Sequence, residues 1–150
     1  MTGELLQSYG NAPKMIIAMF DTGGTINTIE FHSEYHGPED SPQELLDAID
    51  KLDSDFSARQ IAKVATLSAL ANQRLVRKPQ LEEIIDYAKS LGALGVNVAH
   101  SGTMMGVLFE ADESMKKVLE CVRLIGERFP HLEYFETERL ISGGYDIEQR

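Results

Sequence analysis

"MIIAMFDTGGTINTIEF", residues Met15 to Phe31, holds the turn on which the reading of the fold depends. Met15 to Phe20 is a nearly continuous apolar run, and Gly23-Gly24 can take positive φ at no steric cost. Beyond it, Ile26, Thr28 and Glu30 alternate with Asn27, Ile29 and Phe31. The pattern reads as strand, tight turn, strand.

Downstream the period changes. Ser41-Pro42-Gln43-Glu44 offers a Ser N-cap, a Pro at the first helical position and a Glu three residues after the cap, which together make a capping box. Leu45, Leu46, Ile49 and Leu52 follow at helical spacing. A second helix is expected from Asp55 or Ser57 to about Val76, with Ile61, Val64, Ala65, Ser68, Ala71, Asn72 and Leu75 along one stripe. Pro79 opens a third, with Leu81, Ile84, Ile85, Ala88 and Leu91 facing inward and Gly92 placed to stop it. "GVNVAHSGTMMGVLFE", Gly95 to Glu110, is two short apolar strands broken by Ser-Gly and predicts a second hairpin. Asp112 is placed to cap a fourth helix whose Met115, Val118, Leu119, Val122 and Ile125 form a stripe ending before Pro130. A last strand runs from Leu132 to about Thr137. The order β-β-α-α-α-β-β-α-β predicts an α+β fold: an antiparallel sheet of two hairpins and a C-terminal strand, covered by about four helices.

The chain has 150 residues, 43% of them hydrophobic, which fits a single domain over residues 1–150. Its 24 acidic and 14 basic residues give a formal charge of −10, with no block of Lys or Arg to offset it. Such a balance argues against nucleic acid or an anionic membrane as partner. The single cysteine, Cys121, rules out an internal disulfide. "MTGELLQSYG" lacks a basic region followed by an apolar run, and no apolar stretch reaches the ~18 residues of a membrane span, so a cytoplasmic protein is expected.

Several motifs compete for the chemistry. Asp21-Thr22-Gly23 resembles the signature of retroviral-type aspartic proteases, but those enzymes place their paired carboxylates in an all-β body, and about half of this chain reads as helix. Thr22-Gly23-Gly24-Thr25-Ile26 resembles the nucleophile segment of bacterial asparaginases, and His100-Ser101-Gly102-Thr103 echoes their second motif, His-Gly-Thr-Asp. Here Met104 stands where the Asp is needed and Ser101 is an insertion, which leaves a nucleophilic Thr without its base. His100 and Ser101 point to opposite faces of an extended strand and cannot form a dyad. His32 and His36 lie four apart beside Glu34, Glu39 and Asp40, but in a polar loop rather than on a helical face, so no metal site is expected. Cys121 borders the apolar stripe of the fourth helix and reads as a small buried residue.

Across nearly the whole chain, "ELLQSYG", "MIIAMFDTGGTINTIEF", "ATLSALANQRL", "KPQLEEIIDYAKSLGALGVNVAHSGTMMGVLF" and "SGGYD" occur in an order and spacing that resemble the C-terminal half of GHMP kinases. The version "GVNVAHSGTMMGVLF" is similar to the L-threonine kinase branch of that superfamily, tied to cobalamin biosynthesis and propanediol utilisation. The resemblance implies the C-terminal domain of a phosphotransferase that, when intact, uses ATP and magnesium to convert L-threonine to O-phospho-L-threonine. Ser101, Gly102, Thr103 and Gly106 would then lie on the phosphate side of a cleft, and Asp21, Thr22, Gly23, Gly24 and His100 on the substrate side. From the residues alone, both glycine segments read equally as structural turns. Ser68 and Asn72, four apart on the second helix, read either as groups that reach the substrate or as groups that satisfy backbone polar atoms, the second being favoured.

The superfamily's Pro-x-x-x-Gly-Leu-x-Ser-Ser phosphate segment, placed at a helix N-terminus, is absent from residues 1–150. The resemblance therefore implies an N-terminal partner half, in cis or as a separate subunit, and no cofactor or activity for this chain alone. It also implies an apolar surface left open to self-association into a homo-oligomer. The alternative function is a non-catalytic relative that binds a small metabolite or a sister subunit.

Overall fold

The run Met15–Asp21 forms a strand, β1, whose alternate residues Ile16, Ala18 and Phe20 are fully buried. A computed structural model describes residues 7–24, 41–100 and 102–142. After β1 come α1 (Gln43–Asp50), α2 (Ala58–Asn72), α3 (Leu81–Ser90), β2 (Gly95–Val98), β3 (Met104–Glu110), α4 (Met115–Arg128) and β4 (Glu133–Leu140). The strands make one antiparallel sheet in the order β2-β3-β1-β4. The α+β class read from the sequence holds, as does the hairpin β2–β3.

β1 is a central strand. It pairs with β3 from Met15↔Glu110 to Asp21↔Met104, and with β4 from Met15↔Leu140 to Asp21↔Glu133. Both its edges are thus filled by strands remote in sequence, leaving no edge of Met15–Asp21 for the strand expected after Gly23-Gly24. That segment, Ile26 to Phe31, lies outside the described residues. The apolar run suits a central strand: Ile16, Ala18 and Phe20 are fully buried on one face, and Ile17 and Met19 are half-buried on the other. β4, with Glu133, Glu136 and Glu138, is an edge strand whose charges discourage further pairing.

One face of the sheet, built of Ile16, Ala18, Phe20, Val96, Val98, Met105, Val107 and Phe109, packs on α3 and α4 through Leu81, Ile84, Ile85, Val118, Val122 and Ile125. Cys121 belongs to the same core, as expected, and its Sγ–H donates to Leu91 O (3.3 Å). Leu119, placed on the inner stripe by periodicity, is 47% exposed. α3 ends as expected: Gly92 N–H donates to Lys89 O and Ala93 N–H to Ala88 O, which closes the last turn.

Three local readings change. The N-cap of α1 is Pro42, not Ser41; its carbonyl accepts from Leu45 and Leu46, and no side chain caps the helix, so the capping box does not form. Ser57 caps α2 by accepting from Gln60 N–H (3.2 Å), and Ser114, not Asp112, caps α4 by accepting from Lys117 N–H (3.2 Å). The buried face of α2 is Ala58, Ala62, Thr66, Ala69 and Asn72, whereas Ile61, Val64 and Leu75 of the expected stripe are only half-buried.

The reason for that rotation is a close approach. α2 lies along the edge strand β2, and a Cβ added to Gly95 would fall 2.3 Å from Thr66 Oγ1 and 2.6 Å from Ala62 O. Thr66 Oγ1 accepts Val96 N–H (3.0 Å) while donating to Ala62 O (2.8 Å), so the helix satisfies a backbone donor that the edge would otherwise leave bare. Only small side chains permit this contact. Among the described residues, no helix is long and apolar enough to cross a membrane.

Candidate functional site at the glycine turns

Pairing β1 antiparallel to β3 brings the end of one strand against the start of the other, with Asp21 across from Met104. This places the two glycine segments, Asp21–Gly24 and His100–Thr103, at the same end of the sheet. Thr22 joins them. Its N–H donates to Thr103 O at 2.9 Å and its Oγ1–H to the same oxygen at 2.7 Å, with the residue 6% exposed. The Thr22 hydroxyl proton is thereby committed to a backbone acceptor 81 residues away. Gly23 N–H donates to Asp21 Oδ1 (2.8 Å), and Gly23 and Gly24 take φ of 73° and 87°, which a side chain would strain.

The second turn is held from behind. Ala99 N–H donates to Met104 O (2.9 Å) and closes the hairpin. Asn72, at the end of α2, donates from Nδ2 to His100 O (3.3 Å), which agrees with the backbone-satisfying role read for it. Lys78 donates from Nζ to Ala99 O (3.0 Å). Gln73 fixes Lys78 in turn, accepting its N–H at Oε1 (2.6 Å) and donating from Nε2 to its carbonyl (3.0 Å). Lys78 is 2% exposed, and that burial pushes its ammonium below the ordinary lysine range.

The structure thus brings together Asp21, Thr22, Gly23, Gly24, His100, Gly102 and Thr103, and it does not bring Gly106 with them. Gly106 lies inside β3 between Met19 of β1 and Asn97 of β2. A Cβ there would sit 2.3 Å from Asn97 Oδ1 and 2.9 Å from Ile17 Cγ2, so its empty side is already filled by neighbours. This is the close approach expected of Gly106, within the sheet rather than at the turn. Ser101 lies outside the described residues. Sequence reading missed Lys78 and Gln73, because "NQRLVRKPQ" has no periodicity and a lysine beside a proline reads as an exposed loop residue. The juxtaposed turns offer backbone donors and one carboxylate, Asp21, at a single rim. Among the described residues, no group of three or more His, Cys, Asp or Glu could hold a metal ion.

Comparison with known proteins places this arrangement in a family. The family model described as "GHMP kinases C terminal" matches residues 42–127, more than half of the chain. The L-threonine kinase of Citrobacter freundii is 22% identical over 141 residues, covering 91% of this chain and 49% of that enzyme. The L-threonine kinase of Salmonella typhimurium is 35% identical over 51 residues, 34% of this chain and 17% of that enzyme. Among solved structures, L. major mevalonate kinase in complex with R-mevalonate superposes with a TM-score of 0.61 at 13% identity, covering 93% of this chain and 46% of that one. Homoserine kinase from Cytophaga hutchinsonii gives 0.51 at 13% identity over 88% and 42%. The structural likenesses speak to the fold, and the chain spans about half the length of the first of the curated relatives it matches. With the family model covering strands β2 and β3 and the helices from α1 to α4, more than half of the chain, the chain belongs to the GHMP kinase C-terminal family.

Proposed function

We propose that this chain is the C-terminal half of a small-molecule kinase of the L-threonine kinase type, which transfers the γ-phosphoryl group of ATP to the hydroxyl of L-threonine in the cytoplasm. The observation that carries the reading is the similarity to L-threonine kinase along 91% of the chain, which takes in both glycine turns. The convergence of those turns on one rim supports it, since phosphoryl transfer asks the protein mainly for positioning and charge stabilisation.

In this reading the His100–Thr103 turn presents N–H and hydroxyl donors, Ser101 and Thr103 among them, to phosphoryl oxygens, while the Asp21–Gly24 turn lines the threonine side. Thr22 keeps the two in register. ATP, when bound, supplies the transferred group; this chain contributes one wall of the cleft. The proposal assigns magnesium to the half that the relatives carry beyond this length. That half is the expected partner, and the chain by itself is expected to be inactive.

The test is twofold. Calorimetric titration of the chain with ATP and magnesium should show no saturable heat at micromolar nucleotide. Supplying a GHMP kinase N-terminal half, in cis or in trans, should yield O-phospho-L-threonine by mass spectrometry. Phosphorylation of homoserine or mevalonate in preference to threonine would refute the substrate assignment.

A further inference from the structure

α2 keeps its small residues for the sheet and turns larger apolar ones towards α1. Its buried face is Ala58, Ala62, Thr66, Ala69 and Asn72, while Leu67 and Leu70 are half-buried. Gln60 ties α1 along this other side by donating from Nε2 to Ala48 O (2.8 Å). Leu67, Ala71 and Arg74 continue the line of Gln60 at helical spacing. Between the two helices lies a cavity of about 390 Å³, lined by Leu45, Leu67, Leu70 and Ala71, with Glu44 from α1 and Arg74 from just beyond α2.

Packed helices normally close such gaps, since protein interiors approach the density of organic crystals. Ala71 leaves this one open. It lies outside the face that Gly95 keeps small, so the approach of α2 to β2 does not require an alanine there. A leucine at that position would fill the space and bury more apolar area. The size is that of a pocket for a small organic molecule.

The lining says what kind of molecule fits. Leu45 is buried whereas Glu44 and Arg74 are exposed, so the cavity has an apolar floor and two opposite charges at its mouth, one from each helix. An apolar amine would answer Glu44 alone, and an apolar carboxylate Arg74 alone. An α-amino acid carries both charges on one carbon, beside a side chain that the floor can take. Arg74 already engages the fold, and its guanidinium has several N–H donors, so it can hold a carboxylate as well. A hydroxylated side chain would lose water against leucines without gaining a partner.

We propose that the α1–α2 cavity is a binding site for an apolar α-amino acid, with Glu44 taking its ammonium, Arg74 its carboxylate, and the apolar floor its side chain. The site stands on other residues than the two glycine turns, and the inference holds whether or not the completed enzyme phosphorylates threonine. It is joined to the turns through the chain itself: Asn72 and Gln73, between Ala71 and Arg74, hold His100 O and Lys78.

The experiment titrates the 15N-labelled chain with L-leucine at constant pH and ionic strength, following the amide signals of Leu45, Leu67, Leu70, Ala71 and Arg74. Saturable shifts confined to these residues and their neighbours are expected in the millimolar range. 4-Methylpentanoate and 3-methylbutylamine keep the apolar body with one charge each, and both should bind about fivefold more weakly or worse. L-threonine should also bind more weakly than L-leucine. Ala71→Leu fills the cavity and should abolish the shifts while Tm stays at or above the native value. Glu44→Gln, at an exposed position, is the second variant and should weaken L-leucine about fivefold without unfolding the chain. No saturable shift with L-leucine, unchanged affinity in either folded variant, or equal binding of the singly charged analogues would each overturn the proposal. Tighter binding of L-threonine than of L-leucine would overturn the apolar class.

Discussion

Gly95→Ala places a methyl group where α2 and β2 touch, and two effects of opposite sign decide the outcome. Glycine inside a strand costs about 0.5–1 kcal/mol relative to alanine, so backbone propensity alone favours the substitution. Sterics oppose it. The new Cβ would lie 2.6 Å from Ala62 O, against about 3.3 Å for a relaxed carbon–oxygen contact, so α2 must retreat by about 0.7 Å. It would also lie 2.3 Å from Thr66 Oγ1, the acceptor for Val96 N–H. Overpacking of this kind costs about 1–3 kcal/mol. Displacing Thr66 leaves a buried N–H unpaired, which costs about 1–3 kcal/mol more. After the propensity gain the net loss is about 3 kcal/mol, or a fall of about 6–12 °C in Tm for a chain of this size. Thermal unfolding by circular dichroism measures it. Because the Thr66 contact is shared, Gly95→Ala combined with Thr66→Ala should cost less than the two single losses summed. A Gly95→Ala protein as stable as the native chain, or more so, would refute the close approach and with it the account of why small residues line α2.

Three further outcomes follow from the site. Thr22→Val removes the 2.7 Å hydroxyl bond to Thr103 O but keeps the backbone bond beside it, so stability should fall by about 1 kcal/mol, or about 2–4 °C in Tm, by the same unfolding measurement. Replacing Ser101 and Thr103 together by Ala should barely change Tm, yet lower threonine phosphorylation about tenfold or more in the completed enzyme; unchanged turnover in a folded double variant would remove both hydroxyls from the site. Burial lowers the Lys78 pKa in the folded state relative to the unfolded chain, so in the pH window between those two values the unfolded chain binds more protons and stability rises with pH. Denaturation of the native chain and of Lys78→Met, compared from neutral pH towards the ordinary lysine pKa, should therefore shift in favour of the native chain; a constant difference would contradict the desolvated ammonium.

The overall layout was legible because it rests on local pattern. An unbroken apolar "MIIAMF" marks a central strand, "GVNV" and "MMGVLF" flank their own turn, and Leu81, Ile84, Ile85 and Ala88 repeat at helical spacing onto one buried face. Helix starts were less legible: Ser41 and Asp112 are as good by composition as the caps that formed at Pro42 and Ser114, and the choice is made by where the chain must enter the packed helix.

The sequence by itself determined the elements, the antiparallel α+β class and the segments that the candidate site draws on, since each depends on periodicity and turn chemistry within a few residues. Tertiary structure alone decided which elements became neighbours and which faces they buried. Isoleucine and valine outrank alanine in hydrophobicity, yet Ala58, Ala62 and Ala69 face the core because Gly95 lets the helix come too near for anything larger. Thr22 and Thr103 share a carbonyl across 81 residues only because the β1–β3 register sets Asp21 opposite Met104. Lys78 became a buried ammonium behind a turn because Gln73 and Ala99 supply its backbone and side-chain partners at once. Burial, register and desolvation are properties of contacts between distant residues, and a linear pattern carries no term for them.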